Sequence, residues 1–300
     1  MSKIRSLEEI AERVKNSQKR LVVAGGNAPS VIEAIGRAVK EKIVVATLVG
    51  DEREILKVAR DHEIDPSSFD VCHEPDAHKV APKAVELVVS GKADLLMKGL
   101  IGTADYMRAI LNKKSGLVGE QGILTHVMVI EVPSYHKLLF VSDVAILVSP
   151  SLSEKLIMLE YCVQIAKALG ITMPKAGIIS CVEQPSTKID STIDGKLMKQ
   201  LAGRSHIKGA VVDGPLAIDL AISKKSAEIK KFKSPVAGDC DILIFPDICT
   251  ANVFFKSLTI LAGARLAALV VGADVPCILT SRADTEESKF LSIALGALLA

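Results

Sequence analysis

The sequence alternates short aliphatic runs with longer amphipathic stretches along its 300 residues. Aliphatic runs of this length predict buried parallel strands, and the stretches with apolar residues at helical spacing predict the helices that cover them. The alternation is typical of α/β architecture. The predicted strands are 20–24, 43–49, 94–97, 127–132, 138–141, 145–148, 176–181, 210–213, 242–245, 268–271 and 277–280. The predicted helices are 30–40, 51–63, 76–91, 103–111, 153–169, 190–203, 251–263 and 285–299.

One stretch interrupts this alternation and predicts a domain boundary. A Gly-rich run at 115–122 is followed by two strand-like runs with no helix between them. Strands in direct succession indicate a hairpin or a crossing between domains, and 300 residues fit two domains better than one. We therefore predict a first α/β/α domain over residues 1–137 plus about 277–300, and a second over 138–276.

Charge and cysteine usage narrow the classes of function. The net charge of +2 predicts no nucleic-acid or membrane partner, so a bound anion needs a few well-placed cations. The six cysteines are scattered without a CxxC pair, which favours buried thiols in a reducing compartment over a zinc site. No signal peptide is visible, and no apolar run approaches the roughly 18 residues of a membrane span. The sequence thus predicts a cytoplasmic protein.

Loops at the carboxyl ends of predicted strands are the candidate ligand sites, because open parallel sheets bind ligands there. Lys98 and Gly99 end one strand, Thr103 is placed to cap the next helix, and Arg108 lies within that helix. Backbone amides, Lys98 and Arg108 would together suit a phosphate group. The alternative is a capped helix that carries two solvated cations.

A second loop contains Gly214 and Pro215 after a predicted strand. Pro215 suits the first position of a helix, and Gly214 would let a ligand approach the backbone closely. A purely structural turn fits the same residues equally well. His126 is a weaker candidate, because a histidine in such an apolar segment is more often a partly buried structural residue. The adjoining Gly-rich run keeps His126 among the binding candidates.

The most informative loop contains Ser281 and Arg282 just ahead of the last predicted helix. A hydroxyl, a guanidinium and a positive helix end suit a phosphate or an oxyanion. Asp284 is the predicted N-cap, with Glu287 at capping-box spacing. For both carboxylates a capping role and a catalytic role stay open. The histidines form no HxxxH or HExxH pattern, and the run 24–29 lacks GxGxxG spacing, so neither a metal nor a dinucleotide is predicted.

Several segments together resemble the phosphate acetyl/butyryltransferase family. They occur in the family's order over about residues 95–290, and the forms of 212–219 and 280–284 are closer to butyryltransferases than to acetyltransferases. The segments are 98–108, 212–219, 234–239, 244–247 and 280–284.

The resemblance implies two α/β/α domains with a central cleft, like those of isocitrate and isopropylmalate dehydrogenases, and a homodimer or higher homo-oligomer. It implies the reaction acyl-CoA + phosphate = acyl phosphate + CoA, with coenzyme A as substrate and neither a metal nor a tightly bound cofactor. By the same resemblance, Ser281 polarises the acyl carbonyl, Arg282 holds the phosphoryl group and Arg108 also binds phosphate.

One departure from the family concerns the base that deprotonates the thiol of coenzyme A. Acetyltransferases carry a carboxylate seven residues after the serine, where this chain has Ser288. Glu287 is the preferred substitute, with Glu286 and Asp284 as alternatives. A cysteine acyl-enzyme is disfavoured because no cysteine adjoins an obvious histidine base. The remaining alternatives are a phosphate acetyltransferase, a non-catalytic CoA-binding protein and a metal- and NAD(P)-dependent dehydrogenase, for which the Asp ligands and nicotinamide loop are missing.

Overall fold

The computed structural model describes residues 3–118, 122–204 and 207–300. Gly119, Glu120 and Gln121 of the predicted Gly-rich run lie outside the described residues. The helices are α1 Leu7–Val14, α2 Pro29–Lys40, α3 Glu52–Asp61, α4 Ala77–Val89, α5 Thr103–Ile110, α6 Leu152–Ala168, α7 Asp190–Gly203, α8 Ile218–Ile222, α9 Lys224–Ile229, α10 Ile248–Ala262 and α11 Glu286–Leu299.

The strands alternate with these helices, so the predicted α/β class is confirmed. They are β1 Lys19–Ala24, β2 Val44–Gly50, β3 Asp70–His73, β4 Leu95–Lys98, β5 Thr125–Glu131, β6 Leu139–Ser142, β7 Lys175–Ile179, β8 Val211–Leu216, β9 Ile242–Ile244, β10 Arg265–Val271 and β11 Cys277–Ile278. No helix of the described residues is both long and apolar enough to cross a bilayer.

Contacts between Cα atoms divide the chain into two compact units. The first unit is Leu7–Leu124 with Ala267–Ala300, and the second is residues 3–6 with Thr125–Leu266. The sequence placed this division at residue 137, whereas the contacts place it at the start of β5. The reason is that β5 and β6 form an antiparallel pair, so both belong to the second unit.

In the first unit the strands lie in the order β3-β2-β1-β4-β11-β10. The pairs from β3 to β11 are parallel, and β10 runs antiparallel to β11. Residues Leu21 to Ala24 of β1 and all of β4 are buried, as expected for strands with both faces covered. The order brings β11, from the end of the chain, directly beside β4.

In the second unit the strands lie in the order β5-β6-β9-β7-β8, and all pairs but the first are parallel. Helix α6 begins with a complete capping box between Ser151 and Glu154, which satisfies two backbone N–H groups. Helix α10 ends at Gly263, whose φ of 63° is the left-handed conformation that glycine adopts at helix ends.

Two predicted elements are wrong for local reasons. Residues 145–148 are not a strand, because Asp143 Oδ1 accepts hydrogen bonds from the N–H groups of Ala145 (2.7 Å) and Ile146 (2.8 Å) and folds them into a turn. Pro215 does not begin a helix. Gly214 and Pro215 lie within β8, where the register with β7 shifts by one residue, and a bulge tolerates a residue without an N–H.

Candidate active site

The predicted loops of Lys98 and Ser281 meet at one edge of the first unit's sheet. Strands β4 and β11 are parallel neighbours in which Cys277 pairs with Leu96 and Ile278 with Met97. Their carboxyl ends therefore lie side by side. The hydroxyl oxygen of the fully buried Tyr106 lies 3.2 Å from the carbonyl oxygens of both Leu96 and Ile278, which ties α5 beneath the two strands.

The turn after β11 presents Ser281 and Arg282. Asp284 Oδ2 accepts the backbone N–H of Ser281 at 2.7 Å, and the Ala283 N–H donates to Ser281 Oγ at 3.3 Å. Since Ser281 Oγ accepts within the turn, its own hydrogen is available to a ligand. Both Ser281 and Arg282 are exposed.

Helix α11 begins differently from the prediction. Its N-cap is Thr285, whose hydroxyl oxygen accepts the N–H of Ser288 at 3.1 Å, so Asp284 is not the cap. Glu287 is the second helical residue and does not occupy capping-box spacing. Thr285 therefore takes the capping role that the sequence assigned to Asp284, one residue earlier. The Asp284 carboxylate instead holds the Ser281 turn. Ser288, at the position of the family's carboxylate, takes part in the cap.

Two buried lysines lie beside this turn. Lys98 and Lys289 are each only 3% exposed, and both line a small cavity of about 40 Å³ with Ser281 and Arg282. Burial, followed by the charges of Arg282 and Lys289, lowers the pKa of Lys98. Burial also lowers the pKa of Lys289, which the negative charge of Asp284 partly offsets. Both shifts show that the lysine charges are poorly solvated and, for Lys98, repelled by neighbouring cations.

The amino-terminal end of α2 lines the same cavity through Ala28, Ser30 and Val31. Ala28 is the N-cap and has no side chain that can accept from the first turn. Sequence analysis missed both this helix end and Lys289. The sequence does contain a signal for Lys289, because this lysine begins a run, 289–300, in which every other residue is uncharged and nearly all are apolar.

Gly99 lines the cavity and also has a packing role. Its N–H donates to the Ala24 carbonyl at 2.9 Å, and the Leu100 N–H donates to the Gly25 carbonyl at 2.7 Å. These amides hold β4 against β1 and do not point at an anion. A Cβ on Gly99 would lie 1.9 Å from the Gly25 oxygen, so glycine is required by packing.

Thr103 and Arg108 do not line the cavity. Gly102, not Thr103, is the N-cap of α5, and Thr103 is its first residue. The Arg108 side chain is 75% exposed and forms an ion pair with Asp105 at 2.7 Å. The structure thus brings Lys98, Gly99, Ser281 and Arg282 around one cavity and leaves Thr103 and Arg108 outside its lining.

His126, Gly214 and Pro215 belong to the second unit. The His126 backbone N–H donates to Asp143 Oδ2 at 2.9 Å, and the Thr125 hydroxyl donates to the same oxygen at 2.7 Å. Gly214 packs so closely on Ile178 that a Cβ would approach that side chain to 2.7 Å. The buried Asp143 therefore fixes the start of β5, and Gly214 has a packing role within β8.

The second unit contains a larger cavity of about 1280 Å³ at the carboxyl ends of β7, β8 and β9. Its walls are mostly apolar, and Lys155, which is 6% exposed, forms an ion pair with Asp194 at 2.6 Å on one side. A few polar groups in an apolar cavity of this size are typical of small-molecule sites.

Five of the six cysteines fall into two groups, and the sixth, Cys72, is half-buried. Cys181 and Cys249 are exposed and line the larger cavity. Three others are buried, and burial raises their pKa values, to about 12 for two of them; these are Cys162, Cys240 and Cys277. Among the described residues, no three His, Cys, Asp or Glu side chains are grouped to hold a metal ion.

Comparison with known proteins gives agreement over nearly the whole chain. The family described as phosphate acetyl/butaryl transferase matches residues 6–83 and 74–297. The phosphate butyryltransferase of Clostridium acetobutylicum is 42% identical over 299 residues, 99% of each chain. The phosphate acetyltransferase of Thermotoga maritima is 39% identical over 98% of this chain and 99% of its own. A branched-chain phosphotransacylase structure from Enterococcus faecalis superposes with a TM-score of 0.83 at 30% identity, covering 94% of this chain and 99% of that one.

Proposed function

Since this chain belongs to the phosphate acetyl/butyryltransferase family, we propose that it converts acyl-CoA and phosphate into acyl phosphate and coenzyme A. The chain is an acyltransferase, and its relatives named phosphate butyryltransferase align over 99% of its length. One observation carries the assignment of the site: Ser281 and Arg282 lie with two buried lysines around a cavity at the carboxyl ends of β4 and β11.

We assign the chemistry to direct attack within a ternary complex. In the thiol-consuming direction, the thiolate of coenzyme A attacks the acyl carbon of the acyl phosphate, and the bond from that carbon to the phosphate oxygen then breaks. Ser281 donates its hydroxyl hydrogen to the carbonyl oxygen as negative charge develops there. Arg282 binds the departing phosphate, whose charge a guanidinium meets with two parallel hydrogen bonds. Arg108 is an additional phosphate ligand in this proposal.

Glu287 is the proposed base that takes the proton from the thiol. A thiol with a pKa near 8.5 needs modest help at neutral pH, and a positioned carboxylate contributes roughly 10²–10⁴-fold. Ser288 cannot take this role because it lacks a carboxylate and participates in the Thr285 cap. His126, Gly214, Pro215, Thr103 and Asp284 stay predicted substrate-binding residues.

The preferred acyl group in this proposal is butyryl or another short or branched chain. Two relatives named phosphate butyryltransferase are 42% and 40% identical, and one named probable phosphate butyryltransferase is 37% identical, against 39% for the acetyltransferase of Thermotoga maritima. The superposed structure is of a branched-chain enzyme. These identities are close, so phosphate acetyltransferase activity is the alternative. A CoA-binding protein without catalysis is the second alternative, motivated by Ser288.

The finer architecture belongs to the same proposal. We assign each unit to one α/β/α domain of the kind found in isocitrate and isopropylmalate dehydrogenases. A homodimer is supported by helix α10, on which the side chains of Val253, Ile260 and Leu261 are 66%, 78% and 83% exposed. Cytoplasmic location, and coenzyme A as a substrate rather than a resident cofactor, stay predictions.

The test is phosphate-dependent release of free thiol from acetyl-, butyryl- and isobutyryl-CoA, for the wild type and Ser281→Ala. We expect faster turnover of the four-carbon substrates, and a decrease in kcat of roughly 10²–10³-fold in the variant, the range for loss of one oxyanion donor. Thiol release without phosphate would indicate a hydrolase instead. No release from any acyl-CoA by folded protein would refute the enzymatic proposal.

A further inference from the structure

The lysines of this chain that are buried differ in how their charges are balanced. Lys155 has the Asp194 carboxylate at 2.6 Å, and Lys137 has carboxylate oxygens of Asp239 and Asp241 at 3.1 and 3.0 Å. Burial of an ammonium without a partner is costly, so such pairing is expected. Lys155 is buried and Lys137 half-buried, and both show how the fold satisfies such lysines when it supplies the counter-charge itself.

Lys98 and Lys289 lack such a partner. Within the described residues, the Lys98 ammonium donates to the Gly99 carbonyl oxygen at 3.3 Å, and the Lys289 ammonium donates to the Asp284 carbonyl oxygen. Neither ammonium has a carboxylate oxygen within 4.0 Å among those residues. Each ammonium has three N–H donors, so two donors on each lysine lack a protein acceptor there.

Their surroundings add positive charge rather than removing it. Arg282 and Lys289 both lower the pKa of Lys98 through their charges, and Asp284 is the one carboxylate that opposes them. Three cations against one carboxylate leave the cavity with two uncompensated positive charges. The uncapped first turn of α2 adds the partial positive charge of a helix amino terminus.

We propose that Lys98, Lys289 and the first turn of α2 form a binding pocket for a doubly charged phosphate group, adjacent to Ser281 and Arg282. This inference rests on the proposed function for the source of that group, and it adds Lys289 and α2 to the site. A phosphate dianion matches the two uncompensated charges, and its oxygens accept from the vacant ammonium donors. The cavity of about 40 Å³ suits a small group rather than a whole cofactor. The group is either inorganic phosphate, with the phosphoryl of the acyl phosphate, or a phosphate of coenzyme A.

The test compares Lys289→Met with Lys57→Met in the full-length protein. Methionine keeps most of the apolar stem, and Lys57 is an exposed lysine in the same unit with the same charge. Calorimetry measures binding of inorganic phosphate, and of coenzyme A with and without its 3′-phosphate. Loss of a charge-assisted hydrogen bond predicts roughly 10- to 100-fold weaker binding of one phosphate source in Lys289→Met. Lys57→Met should bind within about twofold of the wild type.

The identity of the weakened ligand distinguishes the sources. Weaker binding of inorganic phosphate with unchanged binding of coenzyme A assigns the pocket to the transferred phosphoryl group. Weaker binding of coenzyme A with unchanged binding of inorganic phosphate assigns it to a phosphate of coenzyme A. Lys289→Arg should restore part of the affinity. The melting temperature without ligand should stay equal or rise, because the variant removes an unpaired buried charge.

Unchanged affinity for both ligands in folded Lys289→Met and Lys98→Met would overturn the proposal. So would a lower melting temperature of ligand-free Lys289→Met together with unchanged affinities, which marks the lysine as structural. Because calorimetry requires no turnover, a chain that binds phosphate through Lys289 but releases no thiol would refute the proposed function and retain this pocket.

Discussion

Substitution of Gly99 by alanine tests whether this glycine serves packing or ligand approach. A Cβ at this position would lie 1.9 Å from the Gly25 carbonyl oxygen, 2.7 Å from its carbonyl carbon and 3.1 Å from the Ala24 oxygen. All three are backbone atoms, so no side chain can rotate away. Gly25 is also held in place, since its N–H donates to the Val49 carbonyl at 2.9 Å.

Relief of this overlap requires the ends of β1 and β4 to separate by about 1 Å, given ordinary carbon–oxygen contact distances. That movement breaks the hydrogen bonds from Gly99 to Ala24 (2.9 Å) and from Leu100 to Gly25 (2.7 Å). Each bond contributes about 0.5–1.5 kcal/mol, and an orphaned buried group costs about 1–3 kcal/mol. We therefore expect Gly99→Ala to lower the free energy of unfolding by roughly 2–5 kcal/mol.

The assay is differential scanning calorimetry of ligand-free protein. The expected destabilisation corresponds to a fall of roughly 5–15 °C in melting temperature for a unit of this size. Gly203→Ala is the matched control, because Gly203 ends α7 and a Cβ there meets nothing within 4 Å. Alanine has the higher helix propensity, so the control should melt at or slightly above the wild-type temperature.

A Gly99→Ala protein that melts within about 2 °C of the wild type would refute the packing argument, given the sensitivity stated above. If that stable variant also lost affinity for phosphate, Gly99 would be a ligand-contact glycine, as the sequence predicted. If Gly99→Ala lowers both the melting temperature and the affinity for phosphate, the packing role is supported, because displacement of β4 also moves Lys98.

Three further predictions concern the second unit. Lys155→Met should lower the free energy of unfolding by roughly 2–4 kcal/mol in urea titrations, because it leaves Asp194 half-buried without its partner. In native protein, a thiol reagent should modify Cys181 and Cys249 well before the buried cysteines, whose raised pKa values keep them protonated. Activity should survive Cys181→Ala, since the proposed mechanism forms no acyl-cysteine. Ile260→Glu should reduce the mass measured by light scattering from that of the proposed dimer to that of a monomer, because a charge on the apolar face of α10 opposes its burial.

Each of these has a control or a contradicting result. Combining Lys155→Met with Asp194→Leu should recover stability, and no recovery would mean that the ion pair is not the cause. Inactivation of Cys181→Ala with retained fold would revive the covalent mechanism. Ile229→Glu, on another exposed apolar residue of the second unit, should leave the mass unchanged, and an unchanged mass for Ile260→Glu would exclude α10 from the dimer interface.

The sequence predicted most strands because a buried aliphatic run is a local signal. It missed β3, whose residues Asp70 to His73 are only partly buried and pair with β2 alone. It wrongly assigned 145–148 to a strand, because the competing turn depends on one side chain, Asp143. The helix starts at Gly102 and Thr285 were each misplaced by one residue for the same kind of reason.

The family, the acyltransferase activity and the importance of the Ser281 loop follow from the order of residues along the chain. Those features depend on short motifs whose spacing the sequence itself records. The partnership of Lys98 with Lys289 does not, because the two lie on a strand end and a helix separated by most of the chain. Only the insertion of β11 beside β4 brings them together, and only burial without a carboxylate shows that their charge needs an anion. The sequence thus determined the family and most of the candidate site residues, and the tertiary structure decided which of the charges lie at one place.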